Sequence, residues 1–453
     1  VTSDPSGTAS NVAGATLARL RRHESRNITW MDGDGDWPVV WEKARGCRVW
    51  DVGGRSYLDL TAAFGVAAAG HANPRVVKAG RVQMGRLLHG MGDVHPHRAK
   101  ADLVEALSAR TWGRWIPGAE AKVILTGSGS EAVEAAMKTA RLATGRAGLI
   151  AFEGGYHGLG YGALNVTHRE HFRARFRDQL AGVAGFVPFP GCETCGCADR
   201  AAGCGVLEGM RDRMDALAEE RAVGAVLVEP VQARGGIRVP SLGFLKLLRE
   251  WCDQHGALLI LDEIYTGFGR TGYWFACERE GVVPDVICLG KAMTGGFPMG
   301  ACVGRSDLMD AAWPASDGEA IHTSTFLGHP VGCAMALAQM AEVERCGLVE
   351  RAAAMGEWLR GGLDRWAKRA GRLRLRAVGM GLMAGWEVRW PDGRLAGDVV
   401  VKAMQRLAGK GILVLPEGAG AEVMSLTPPL NIGRVELGRA LGRIWETMQE
   451  VAE

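Results

Sequence analysis

The chain has no uninterrupted apolar stretch long enough to span a bilayer, so it does not read as a helical membrane protein. It has no strong charge of either sign. The 53 Lys and Arg nearly balance the 50 Asp and Glu, leaving a formal net charge of +3. No long basic run offers a local surface to nucleic acid. Internal repeats and low-complexity linkers are missing as well. The segment from Val1 to about Arg22 is small and polar, then basic, without the apolar core of a signal peptide. The cytoplasm is therefore the default location. What is present, 47% hydrophobic and 23% charged residues, has the balance of a soluble globular protein. At 453 residues the chain exceeds the size of a single growing core, so a large domain and a smaller one are expected.

Cysteine is plentiful, with 11 residues. Most stand singly in apolar contexts (Cys252, Cys288, Cys302, Cys333) and read as reduced, buried thiols. The exception is Cys192-x-x-Cys195-x-Cys197, followed by Cys204. Four thiolates suffice for a structural zinc, but Cys-x-Cys spacing is unusual for one and no His lies inside the loop. Reduced thiols or an adventitious disulfide are favoured over a metal here, and no metal is assigned.

The first 60 residues contain short aromatic and β-branched runs, Trp37 to Trp41 and Cys47 to Val52, with Gly53-Gly54 marking a hairpin turn. Further on, short apolar runs recur without alternation: Val123 to Leu125, Leu149 to Ala151, Ala225 to Val228, Ala257 to Leu261 and Val286 to Leu289. This is the pattern of strands buried on both faces of a parallel sheet. Between two of them, Phe244, Leu247, Leu248 and Trp251 fall at helical spacing within Ser241 to Gln254. The fold class is thus α/β, a mostly parallel sheet flanked by helices. After about residue 335 the rhythm changes to an alternating stretch (Leu373 to Trp390) and amphipathic helices (Asp398 to Lys410, Arg434 to Val451), predicting a smaller α+β domain. The expected division is an N-terminal segment 1–65 that joins the small domain, a large domain 66–335 and a C-terminal domain 336–453.

Ligands of parallel α/β sheets bind beyond the carboxyl ends of the strands. Polar groups stand at those ends here: Asp262-Glu263, Lys291, Glu229 and the turn Gly127-Ser128-Gly129-Ser130. The turn runs into a helix from Ala132 to Thr144, and Ser128 and Glu131 have capping-box spacing, which makes an anion site suited to phosphate. Lys291 lies in an apolar, glycine-lined run from Cys288 to Pro298. Burial lowers a lysine pKa and favours the nucleophilic amine. An Asp can keep the ring nitrogen of pyridoxal 5′-phosphate (PLP) protonated. The residues alone leave a capping Asp and a solvated Lys open as alternatives.

Longer motifs go further. Leu259 to Gly300, "LILDEIYTGFGRTGYWFACEREGVVPDVICLGKAMTGGFPMG", resembles the signature of the class III PLP-dependent aminotransferases, of fold type I. "TGSGSEAVEAAMKTAR" from Thr126, "GGYHG" from Gly154, "EPVQ" from Glu229, "STFLGHP" from Ser324, "GHANP" from Gly70 and "PPL" from Pro428 keep the family's order. The resemblance covers about residues 37 to 450. It implies that Lys291 forms the Schiff base with PLP and shuttles the proton, and that Asp262 pairs with the ring nitrogen. Ile264 and Tyr156 would pack on the two ring faces, and Gly129 and Ser130 would bind the phosphate. Thr325 would reach the phosphate of a neighbouring subunit, implying a homodimer with shared active sites. Glu229 would line the pocket, and His157 would contact the cofactor or hold the loop carrying Tyr156. The implied reaction is ping-pong transfer of an amino group from an amine donor to a keto acid. An aminomutase or amino-acid racemase of the same fold is the alternative.

The chain also departs from that pattern. Ser425 stands three residues before Pro428, where carboxylate-binding members carry Arg. A serine does not replace a guanidinium fork, so either Arg234 or Arg270 does the work or the donor lacks an α-carboxylate. His329 replaces a frequent Asn, as in ω-amino acid:pyruvate enzymes, and Tyr265 replaces a frequent Gln. These favour an amine or ω-amino acid donor. Phe64 is a further candidate pocket residue from the N-terminal segment.

Overall fold

The computed structural model describes residues 5–29, 37–191, 205–369 and 371–453. Strands in chain order are β1 (Trp41–Arg45), β2 (Arg48–Asp51), β3 (Ser56–Asp59), β4 (Ala121–Thr126), β5 (Gly148–Phe152), β6 (Ala184–Val187), β7 (Val223–Val228), β8 (Leu258–Asp262), β9 (Val286–Leu289), β10 (Gly300–Arg305), β11 (Arg374–Met380), β12 (Met383–Arg389), β13 (Ile412–Leu413), β14 (Leu415–Glu417) and β15 (Val423–Leu426). They form three sheets.

The central sheet has seven strands in the order β4-β10-β9-β8-β7-β5-β6. Pairs from β6 through β9 are parallel, and β10 is antiparallel to both β9 and β4. Thus β4 runs in the same sense as β5 to β9, and their carboxyl ends share one edge. Every apolar run predicted to be a strand of the parallel sheet is one, while β6 and β10 are additional. Successive residues feed opposite faces. Ile150, Phe152, Val226, Val228, Leu259 and Leu261 join one core, whereas Leu149, Ala151, Ala225, Leu227 and Ile260 join the other. The second core is closed by alanines of the helix Gly129–Thr144, and the first by the helix Phe244–His255. Burial on both faces explains why these runs show no polar alternation.

The N-terminal sheet has the order β1-β2-β3-β13. Its β2–β3 turn contains Gly54 at φ +81°, as the Gly53-Gly54 pair anticipates. The run Trp37 to Val40 is not a strand; pairing starts at Trp41. A helix, Pro5–His23, occupies a segment for which the sequence suggested none. Strand β13, from the far end of the chain, adds parallel to β3 and links this sheet to the C-terminal region.

The third sheet, β11-β12-β15-β14, is packed by the helices Leu348–Ala367 and Gly397–Gly409, on which the helix Arg434–Val451 packs in turn. Arg270, in the loop after β8, fastens it to the central sheet. Its guanidinium donates to Leu382 O at 2.9 Å and Pro428 O at 2.5 Å, fully buried. Cys252, Cys288, Cys302 and Cys333 are buried free thiols. The cluster Cys192 to Cys204 lies outside the described residues. Among the described residues no helix is long and apolar enough to cross a membrane, and no group of His, Cys, Asp or Glu is placed to hold a metal ion.

Candidate active site

A cavity of about 310 Å³ opens at the carboxyl edge of the central sheet. Gly129, Ser130, Tyr156, His157, Glu229, Asp262, Ile264 and Lys291 line it, with Gly158, Leu159, Ala233, Arg234 and Tyr265. Parallel strands bring these together because each contributes the residues just past its last hydrogen-bonded position.

Lys291 follows β9 after Gly290, in a short helical turn Lys291–Met293. Its φ of +36° is left-handed, a conformation that costs a non-glycine residue about 1–3 kcal/mol. The turn around it is closed by Met293 N donating to Gly290 O at 2.8 Å, and the next turn by Thr294 Oγ1, which accepts from Phe297 N at 3.1 Å. Nζ stands 4.5 Å from the centre of the Tyr265 ring. Desolvation pulls the amine below its ordinary value, against the opposing charges of Asp262, Glu229 and Glu417. The neutral, nucleophilic amine gains accordingly.

Asp262 ends β8 and is 4% exposed. Its Oδ2 lies 2.7 Å from His157 Nδ1, and Oδ1 accepts from Ile264 N at 3.1 Å. Opposite a carboxylate, Nδ1 is the protonated ring nitrogen of His157. The His157 backbone N–H is fixed on Thr167 Oγ1 at 2.9 Å. His157 therefore orients Asp262 directly, beyond holding its own loop. Glu229, past β7, accepts from Tyr156 N at 3.0 Å and from Ala233 N at 3.2 Å, tying the loops after β5 and β7 together. Burial, and secondarily the Asp262 charge, push its carboxyl up to about 7 against the opposing pull of His157.

On the opposite side the helix Gly129–Thr144 points its N-terminus into the cavity. Ser128 is its N-cap, accepting from Glu131 N at 3.2 Å, while Glu131 reaches back to Gly127 N at 2.8 Å. The cap predicted from spacing is thus formed. The first-turn N–H groups of a helix have no intrahelical acceptor. Ser130 Oγ is buried without a hydrogen-bond partner. A Cβ on Gly129 would come within 2.8 Å of Ile264, and one on Gly158 within 2.4 Å of Ser130 Oγ. This backbone is bare where an anion would sit.

Several candidates fall elsewhere. Thr325 is exposed in a turn outside the cavity. His329 caps the helix Pro330–Arg345, its Nδ1 accepting from Val331 N at 3.3 Å. Phe64 lines a separate apolar groove with Trp37 and Leu415. Ser425 is buried in β15, and Arg270 is fully buried with Nη1 on two backbone carbonyls and lies outside the cavity lining, so of the two arginines only Arg234 reaches the cavity. Its guanidinium lies 5.4 Å from the Tyr156 ring centre and pairs with the buried Glu417 at 3.5 Å. Glu417 carried no sequence signal: an isolated Glu at the end of a three-residue strand looks like a solvated charge.

The sequence model "Aminotransferase class-III" matches residues 31–448. The chain belongs to the class III aminotransferases. It is 37% identical to an acetylornithine aminotransferase of Methanosarcina mazei, over 90% of this chain and 91% of that one. It is 36% identical to a 5-aminovalerate aminotransferase of Pseudomonas aeruginosa, over 92% and 94%. Ornithine aminotransferase of Toxoplasma gondii superposes with a TM-score of 0.80 at 30% identity, over 97% and 95%. A PLP-bound amine transaminase from an uncultivated Pseudomonas species gives 0.83 at 28% identity, over 95% and 99%. This class III aminotransferase therefore has the fold type I architecture and uses PLP. The cavity fits that cofactor: a bare helix N-terminus and an unpartnered Ser130 hydroxyl suit its phosphate, and a buried carboxylate suits its ring nitrogen.

Proposed function

We propose that this aminotransferase moves an amino group from an amine or ω-amino acid to a keto acid, with the cavity's residues in the following roles. Lys291 would hold PLP covalently and, when displaced, carry the proton at Nζ. Asp262, oriented by His157, would keep the ring nitrogen protonated. Gly129 and Ser130 would hold the phosphate, and Tyr156 and Ile264 would flank the ring. Glu229 positions the loop bearing Tyr156. When bound, PLP supplies an electron sink for the bonds at the donor carbon. The protein adds position, charge and an amine already shifted towards its neutral form. The observation that carries this reading is the meeting of Lys291, the Asp262–His157 pair and the open helix start in one cavity. The donor class is supported by relatives named for 5-aminovalerate and, in Escherichia coli at 33% identity, for 4-aminobutyrate.

The proposed division of the chain is a large cofactor-binding domain, 66–335, beside a smaller one built from 336–453 and 1–65. The addition of β13 to the N-terminal sheet supports it. The proposed assembly is a homodimer. Thr325 sits beside exposed apolar residues, Phe326 and Ile321 at 62% exposure each. Leu88, Met91 and Val94 are exposed on the adjoining loop, where Asp93 accepts from Thr323 Oγ1 at 2.6 Å. A dimer would bury this surface and bring Thr325 to its partner's site.

Feeding PLP-loaded protein a donor without acceptor tests the function. The expected result is release of the donor's carbonyl product in an amount matching the enzyme, then formation of an amino acid when keto acid is added afterwards. Rearrangement or racemisation of a single substrate without keto acid would overturn it.

A further inference from the structure

A lysine that alternates between bound and free has a long, flexible side chain, and its amine must stay within reach of the atoms it serves. Among the described residues, Nζ of Lys291 makes no hydrogen bond or ion pair. What it meets is the face of Tyr265, whose ring centre is 4.5 Å away. That is inside the roughly 6 Å over which an ammonium is drawn to the negative face of an aromatic ring. Asp262, Glu229 and Glu417, opposed by Arg234, set the remaining field around the amine.

The ring itself is fixed by three parts of the chain. Its hydroxyl lies 3.3 Å from Thr427 Oγ1, which donates in turn to Thr61 O at 3.3 Å, while Thr427 N donates to Leu60 O at 2.8 Å. One ring edge lies on Gly65. A Cβ there would come within 2.9 Å of Tyr265 Cε1, and the φ of +82° favours glycine. Val231, Ala233, Ile237 and Val423 share a small apolar cluster with the ring. Tyr265 nevertheless lines the cavity and turns its face to Lys291. Burial pushes the phenol up to about 12, so the ring carries no charge of its own.

We propose that Tyr265 is the positioning residue for Lys291: its ring face receives the Nζ ammonium whenever that amine is free of the cofactor and keeps it poised in the cavity. The assignment rests on the aminotransferase reading above, in which Lys291 is alternately bound and free. It gives the aromatic at a position where Gln is frequent a task that an amide does not perform.

The basicity of Lys291 in the full-length, cofactor-free protein tests it without turnover. Trace acetylation by acetic anhydride across a pH series, quantified by mass spectrometry on the peptide containing Lys291, gives the midpoint. Tyr265→Phe keeps the aromatic face and is expected to leave the midpoint in place. Pentafluorophenylalanine introduced at position 265 keeps the ring shape but reverses the charge of its face. It is expected to lower the midpoint by about half a unit to one unit, roughly a three- to ten-fold rise in the ammonium's dissociation constant. A wall that only excludes water would not tell these two rings apart. A fluorinated ring that leaves the midpoint unmoved or raises it, or a Tyr265→Phe variant that lowers it just as far, would overturn the proposal. If the fluorinated protein does not fold, Tyr265→Leu decides. It is expected to lower the midpoint, and an unchanged or raised one, the mark of a ring that had only kept the amine dry, would overturn the proposal. Imine formation between wild type and added PLP, followed by absorbance in parallel, separates the two readings. Its failure would count against the aminotransferase assignment, whereas the acetylation series judges Tyr265.

Discussion

On one wall of the cavity, Asp262, His157 and Glu229 are each committed by hydrogen bonds of 2.7 to 3.2 Å from side chain or backbone. On the other, Arg234 meets Glu417 at 3.5 Å, and the Tyr265 hydroxyl meets Thr427 Oγ1 at 3.3 Å. The first wall is made entirely of strand ends and the loops that follow them. The second is shared between the loops after β7 and β8 and the region of the C-terminal sheet. The tighter contacts lie along the sheet edge and the longer ones where two regions meet.

Breaking the first wall should cost most. Lys291→Ala should lower transfer by roughly 10³-fold or more, with the fold intact by circular dichroism, because both roles proposed for it, anchor and proton carrier, would be lost. Asp262→Asn keeps the shape and removes the charge, and should lower kcat on the order of 100-fold. A smaller loss, about ten-fold in PLP affinity by spectral titration, is expected for Gly158→Ala. Its φ of +121° and a Cβ 2.4 Å from Ser130 Oγ both oppose a side chain there. The smallest effect is on stability. Burial holds Glu229 near 7 instead of its ordinary 4.5, so the folded protein keeps a proton that the unfolded chain releases. Its stabilising contribution is complete below about 4.5 and is lost as pH rises through about 7. Glu229→Gln should therefore flatten the melting temperature against pH across that window. An unchanged slope would mean that Glu229 is not held protonated.

The same contrast governs what the sequence reveals. Asp262 and Lys291 are legible because each follows an apolar run whose residues alternate between two cores, Leu259 and Leu261 on one face and Ile260 on the other. The Ser128–Glu131 cap is legible because it is local. Strand β10 escapes notice: Gly-Ala-Cys-Val-Gly-Arg has glycines at both ends and little β-branched content, and its burial comes from neighbours on both sides. Strand β13 is two residues long and exists through pairing with β3 across the chain. Glu417 meets its ion-pair partner Arg234 from far away in sequence. Arg270 and Arg234 are equally plausible clamps on paper, and it takes the packing of Leu382 and Pro428 around Arg270 to separate them.

Covalent attachment of PLP at Lys291 is the step on which every proposed role in the cavity depends. Borohydride reduction of the PLP-loaded protein, followed by digestion and mass spectrometry, should place the added cofactor mass on the peptide containing Lys291, and nowhere in Lys291→Ala. Attachment at another lysine, or none in a wild-type protein saturated with PLP, would contradict it.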